Sequence, residues 1–189
     1  MVAYVWLAMG WVLYFVLHSL LAAVGVKQMV YRWLSPRVYR LLYAVISMVG
    51  LLFLLLMNGS IPAPYFVASE GAVRFLSLML TTFGVILIQV SFRAYSFRAF
   101  VGLAAEPDAR LKTDGIQKYI RHPLYAGTIL ITLGFLLFIP NLPTLISCSC
   151  IFLYLPIGIW LEEQKLVRQF GEVYRTYQKT VPALVPWPW

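Results

Sequence analysis

The chain has 189 residues, of which 61% are hydrophobic and only 12% charged. That is far more apolar side chain than the interior of a water-soluble domain of this size can hide, so a soluble single domain is excluded. The net charge of +8 and pI near 9.7 suit nucleic acid only in a soluble protein, and no nucleic-acid motif accompanies them; near a bilayer the same charge serves topology and attraction to anionic headgroups.

Asp, Glu, Lys and Arg are missing from 1–26, 41–69, 75–92 and 122–161, and such gaps read as membrane spans. The first predicts a helix over about 3–26. It has no basic n-region and no small-residue cleavage site before Lys27, so a retained helix is expected rather than a signal peptide. Helices at about 41–57 and 72–92 follow, joined by an apolar loop with Ile61-Pro62-Ala63-Pro64. The last gap is 40 residues, about 60 Å as helix and twice a hydrocarbon core of about 30 Å. It therefore folds back at Pro140-Asn141-Leu142-Pro143, where two prolines remove backbone donors, giving helices at 124–139 and 142–160.

The expectation is an all-α integral membrane protein with five transmembrane helices. It forms one membrane-embedded domain over 1–189, with a three-helix part at 1–92 and a functional part at 93–189. Fourteen of the fifteen basic residues fall in the loops at 27–40 and 93–123 or in the tail from Glu162. Only Arg74 lies on the other side, with Glu70 to balance it. The positive-inside rule then puts the N-terminus outside and the C-terminus in the cytoplasm. Cys148 and Cys150 point in different directions from one helix and are expected to be packing residues. His18 and His122 give no zinc pattern, and no metal is expected.

Two polar clusters face the cytoplasm. In Lys112-Thr113-Asp114-Gly115-Ile116-Gln117-Lys118-Tyr119-Ile120-Arg121-His122-Pro123-Leu124-Tyr125, Pro123 suits the first turn of a helix. Arg121 and His122 then sit at its mouth, where free amides and the positive dipole end attract an anion; a basic interfacial anchor is the other reading. Gly127, one turn on, admits a neighbour or a ligand. The second cluster is Glu162-Glu163, at the unfavourable negative end of the fifth helix. The hairpin brings it beside Arg121 and His122, as a structural ion pair, a site, or both. Leu166, Phe170, Tyr174 and Tyr177 recur at three- and four-residue intervals and predict one face of an amphipathic tail helix.

Arg121-His122-Pro123-Leu124-Tyr125 with Gly115 ahead, then Glu162-Glu163, Phe170-Gly171, Tyr174, Tyr177 and Val181-Pro182-x-x-x-Pro186, resembles the isoprenylcysteine carboxyl methyltransferase and phospholipid methyltransferase families over about 93–189. His18-Ser19, Lys27 and Tyr39-Arg40-x-x-Tyr43 resemble the nitrogen-oxide-associated and methanethiol methyltransferase branches. The resemblance implies a methyltransferase using S-adenosyl-L-methionine on the cytoplasmic side. The residues it implies for the cofactor are Ala109, Arg110, Leu111, Lys112, Gln117, His122, Pro123, Leu124 and Tyr125, with Glu162 and Glu163 as acceptors for its ammonium and ribose hydroxyls.

Gln117 stands where that family usually has an aromatic residue. Gly158 stands where its eukaryotic prenylcysteine enzymes have an arginine for the substrate carboxylate, which speaks against a prenylcysteine here. The acceptor is expected to be lipid-soluble or membrane-partitioned, a prenylcysteine carboxylate, a thiol or a lipid amine, entering sideways near His18, Gln89 and Ser91; Arg121 is a further candidate contact, and no catalytic base is assigned. The same polar residues equally suit helix–helix hydrogen bonds. A nicotinamide-dependent membrane reductase and a non-catalytic subunit of nitrogen-oxide metabolism are the alternatives. Membrane lipids are the expected surroundings, and the oligomeric state is open.

Overall fold

A computed structural model describes residues 1–94, 97–104 and 110–186, and within these the fold is helical with no strand. Helix α1 spans Val2–Ala22, α2 Val24–Val30, α3 Pro36–Ser60, α4 Gly71–Ala94, α5 Phe97–Phe100, α6 Pro123–Phe138, α7 Leu142–Phe170 and α8 Glu172–Thr180, with a 3-10 turn at Gly115–Lys118. Four of them, α1, α3, α4 and α7, are long and apolar enough to cross a membrane. The fifth expected span, α6, is apolar but has 16 residues, about 24 Å at the helical rise and short of a core of about 30 Å.

The boundaries differ from the charge-gap reading for local reasons. The first helix breaks at Ala23, which is extended. Its last carbonyls find side-chain partners instead: the Tyr39 hydroxyl donates to the Leu21 carbonyl (2.7 Å) and Lys165 Nζ to that of Ala22 (3.0 Å), satisfying a helix end that lacks further turns. Helix α3 begins at Pro36, five residues before the uncharged stretch, because Ser35 caps it and Pro36 occupies the first turn. Helix α7 runs on to Phe170, since charged residues end a lipid-buried stretch without ending a helix. Gly171, at φ 57°, then separates α7 from α8. Leu166 and Phe170 accordingly lie on α7 and Tyr174 and Tyr177 on α8, so the anticipated single tail helix is two.

The α6–α7 turn forms where the two prolines fall. Asn141 caps α7 by accepting from the Thr144 amide (3.0 Å). The α3–α4 loop meets this turn: the Phe66 amide donates to the Pro140 carbonyl (2.8 Å) and Ser69 Oγ to that of Leu137 (3.0 Å). Both loops thus lie at one end of the bundle. Arg74 rests over the Phe138 ring there, 5.0 Å from its centroid.

Two contacts hold the bundle together. Leu7, Trp11 and Leu54 form a buried cluster beside a polar chain in which Trp11 Nε1 donates to Ser147 Oγ (2.8 Å), Ser147 Oγ to Asn58 Oδ1 (2.9 Å) and Asn58 Nδ2 to Thr144 Oγ1 (3.2 Å). This ties α1, α3 and α7 where hydrophobic burial supplies little drive between lipid-facing helices. Helices α4 and α6 meet backbone to backbone: a Cβ on Gly84 would lie 2.6 Å from the Gly127 carbonyl oxygen, and one on Gly127 2.8 Å from that of Gly84. Gly127 therefore makes room for a neighbouring helix rather than a ligand. Cys148 is buried against the Thr132 carbonyl, and both cysteines are free thiols.

Candidate active site

The antiparallel α6–α7 hairpin brings Arg121 and His122 beside Glu162 and Glu163, at the end opposite the Pro140 turn. Glu163 is the centre. Its Oε1 accepts from Arg121 Nη2 (2.8 Å) and Nε (3.0 Å) and lies 3.0 Å from His122 Nε2, while Oε2 accepts from Gln178 Nε2 (3.0 Å). The Tyr174 hydroxyl reaches Oε1 at 3.4 Å. The expected placement of two carboxylates at the negative end of a helix is not what the structure has: α7 continues past them to Phe170, and the Arg121 guanidinium stands against Glu163. Burial and the Glu163 carboxylate push the Tyr174 hydroxyl well above the ordinary tyrosine range, so it remains a neutral donor.

The tail closes over this cluster. The backbone amides of Arg121 and His122 donate to the carbonyls of Pro182 and Ala183, each at 2.9 Å. Arg121 Nη1 donates to the carbonyls of Gln178 (2.9 Å) and Val181. Two of the amides expected to be free at the mouth of α6 are therefore engaged by the chain itself. No side chain caps α6 and Pro123 has no N–H, which leaves the first-turn amides of Leu124 and Tyr125 as its donors.

Beside the cluster lies a cavity of about 260 Å³. Leu111, Lys112 and Gln117 line it from the segment before α6; Arg121, His122, Pro123, Leu124 and Tyr125 from the start of α6; and Glu162 and Leu166 from α7. Tyr174 and Tyr177 close it from α8. Gln117 is 1% exposed, and neither its Oε1 nor its Nε2 has a partner within the protein. A buried amide without partners is costly, and this one borders the cavity. Its own backbone carbonyl is held by the Tyr177 hydroxyl.

Several residues singled out from the sequence lie elsewhere. Ala109 is outside the described residues. Arg110 is exposed and is not among the described residues that line the cavity. Glu163 stands behind the cavity wall, holding Arg121, His122 and Tyr174. Gln89 is exposed on α4 and does not line the cavity, and Ser91 Oγ donates to the Leu87 carbonyl within α4 (2.7 Å). His18 lies apart from the cavity. It lines a second, mostly apolar groove of about 190 Å³ between α1 and α3, with Nε2 2.9 Å from the Tyr43 hydroxyl and Nδ1 3.1 Å from Ser47 Oγ. Phe92 and Phe100 line the cavity and escape sequence reasoning, since no spacing links them to the motif. Their rings meet at 5.2 Å.

The family model described as NnrU protein matches residues 6–187. Methanethiol S-methyltransferase 1 of Bradyrhizobium diazoefficiens is 28% identical over 93% of this chain and 64% of its own length. Methanethiol S-methyltransferase of Pseudomonas sp. (strain GM41(2012)) is 30% identical over 89% of this chain and 68% of its own. Protein-S-isoprenylcysteine O-methyltransferase of Schizosaccharomyces pombe is 36% identical over 92 residues, 48% of this chain and 39% of its own. The chain thus spans under two thirds of the Bradyrhizobium and Schizosaccharomyces relatives. No solved structure matches.

Proposed function

This chain belongs to the NnrU protein family, and from that premise we propose that it is an integral-membrane methyltransferase that uses S-adenosylmethionine to methylate a small, membrane-partitioned thiol. The observation that carries the reading is the cavity at the hairpin mouth with the unpartnered Gln117 amide beside it. The thiol is favoured over a prenylcysteine or lipid amine by the relatives matched along most of the chain, which are named as methanethiol enzymes.

The donor set suits the cofactor. The Gln117 side chain offers an acceptor and two donors for a purine or ribose edge. The amides of Leu124 and Tyr125, with His122 and Lys112 nearby, suit a carboxylate. Glu162 suits an ammonium. Tyr174, Tyr177, Phe92 and Phe100 supply apolar and aromatic wall. When bound, S-adenosylmethionine supplies a methyl group already activated by its sulfonium. The residues are then left with holding both reactants in line and excluding water. Glu163 keeps His122, Arg121 and Tyr174 in register, and Tyr174 and Tyr177 shield the cavity from the aqueous side. No residue is assigned as the base.

The topology that goes with this function has five crossings, α6 being the short one, with the N-terminus outside and the cavity cytoplasmic. The distribution of basic residues supports it, as does the pairing of the α3–α4 loop with the α6–α7 turn away from the cavity. The acceptor approaches from the bilayer along the groove at His18. Purified protein in detergent is expected to bind S-adenosylhomocysteine saturably, and His122→Ala or Glu162→Gln to weaken that binding. Saturable NADPH binding with no response to S-adenosylhomocysteine would overturn the reading in favour of a reductase. Binding without methyl transfer to thiols, lipid amines or prenylcysteines would favour a non-catalytic subunit. A cysteine replacing Ser60 is expected to react with an impermeant thiol reagent from outside; labelling from the cytoplasm alone would invert the topology.

A further inference from the structure

Between the cavity and the His18 groove stands a layer of tyrosines contributed by three helices. Tyr43 from α3 bonds His18 Nε2 (2.9 Å). Tyr154 from α7 bonds Ser19 Oγ (2.9 Å) and stacks on Phe15 at 4.0 Å between ring centroids. Tyr125 from α6 lines the cavity together with Glu162 and comes up to Tyr154 at Gly158. Tyr43 and Tyr154 are thus tied to α1 by hydroxyl bonds, whereas the Tyr125 ring is seated in a notch. A Cβ on the buried Gly158 would lie 3.2 Å from both Cε1 and the hydroxyl oxygen of Tyr125, and 3.5 Å from Cε1 of Tyr154. The missing side chain at 158 is the space that the Tyr125 ring fills.

We propose that Tyr125, seated against Gly158, is the specificity-determining residue that confines the methyl acceptor to small molecules. This rests on the methyltransferase reading. An acceptor arriving along the apolar groove meets the tyrosine layer before the cavity, and the member of that layer that walls the cavity itself is Tyr125. A thiol of one or two carbons fits on the cavity side of the ring. A long alkyl chain needs the space that the ring occupies, because its tail would extend back towards His18. The acceptor size limit therefore comes from one aromatic side chain held by the absence of another.

The test compares straight-chain alkanethiols from methanethiol to octanethiol, with methyl transfer as one readout and thermal stabilisation of the S-adenosylhomocysteine complex by the corresponding methyl alkyl sulfides as a second, turnover-free one. The wild type is expected to respond to the short members only. Tyr125→Leu raises the octanethiol-to-methanethiol ratio about tenfold or more, the range that steric acceptance of added methylenes spans. Tyr125→Phe keeps the ring and restores the wild-type length profile. Gly158→Ala, which presses on the ring, shifts the limit in the opposite direction, to shorter thiols. Equal loss for every chain length in Tyr125→Leu and Gly158→Ala overturns the proposal. So does stabilisation of the wild type by methyl octyl sulfide, which needs no variant to fold. Failure of the wild type to bind S-adenosylhomocysteine at all would instead remove the methyltransferase reading beneath it.

Discussion

Replacing Glu163 tests the architecture of the site most directly. Donors from four residues converge on its carboxylate: Arg121, His122, Tyr174 and Gln178. The pair is largely shielded, the side chains of Arg121 and Glu163 being 12% and 19% exposed. Removing one member of a buried ion pair costs about 3–5 kcal/mol, because the partner is left uncompensated. Arg121 keeps the carbonyls of Gln178 and Val181, which places Glu163→Ala at the lower end, about 3 kcal/mol. On the scale of a domain of 150–250 residues that is a loss of roughly 6–12 °C in Tm. Glu163→Gln keeps the shape and one acceptor but also leaves the guanidinium uncompensated and sets an amide donor against Arg121 or Gln178, and is expected to cost about 2–3 kcal/mol. Thermal unfolding in detergent reads both, and S-adenosylhomocysteine titration reads the loosening of His122 and Tyr174 as a weakening of about tenfold in Glu163→Ala. Two variants within about 0.5 kcal/mol of the wild type would refute the role of Glu163 as the organising charge.

Gln117→Leu has opposite effects on the two measurements. Removing a buried amide with no protein partner stabilises the ligand-free protein by about 1–3 kcal/mol, while S-adenosylhomocysteine affinity falls; a variant that melts lower without ligand would contradict this. Gly127→Val separates α4 from α6, since its Cβ starts 2.8 Å from the Gly84 carbonyl oxygen, and is expected to cost at least about 3 kcal/mol. Gly25→Ala, with nothing within 4 Å, should be neutral or slightly stabilising in the same melt. Asn58→Ala removes the bonds to Thr144 and Ser147 and is expected to cost about 1 kcal/mol, the scale of hydrogen bonds between membrane helices.

The helices were legible because lipid excludes charge. Gaps in Asp, Glu, Lys and Arg locate apolar helices directly, and the proline pair at 140 and 143 marks a turn whatever surrounds it. Charge is a poor guide to where a helix stops, however. Helix α3 starts at Pro36, behind a capping serine and five residues ahead of its uncharged stretch, and α7 continues past Glu162 and Glu163 to Phe170. The periodicity from Leu166 to Tyr177 is real, but a helical repeat does not report that Gly171 turns the backbone between its halves. At the site, the meeting of Arg121 and His122 with Glu162 and Glu163 follows from hairpin geometry alone. That Glu163 holds the others while Glu162 lines the cavity does not, because adjacent residues on a helix point about 100° apart and only the packing of α8 decides which one it covers. Phe92 and Phe100 stayed hidden for a related reason: they reach the cavity through the packing of α4 and α5, which leaves no local pattern.

The strap formed by residues 178–183 also bears on how the molecule is made. The two backbone amides at the mouth of α6 and the Arg121 guanidinium bond carbonyls about sixty positions later in the chain. The residues of α6 are therefore synthesised before the carbonyls that bond its mouth. Until those carbonyls are in place, the amides of Arg121 and His122 and the Arg121 guanidinium lack the backbone partners they have in the finished fold. The helices can therefore pack before the mouth of α6 is strapped down, and completion of the tail is the step that finishes the cavity, since Tyr174 and Tyr177 reach its wall with the same segment.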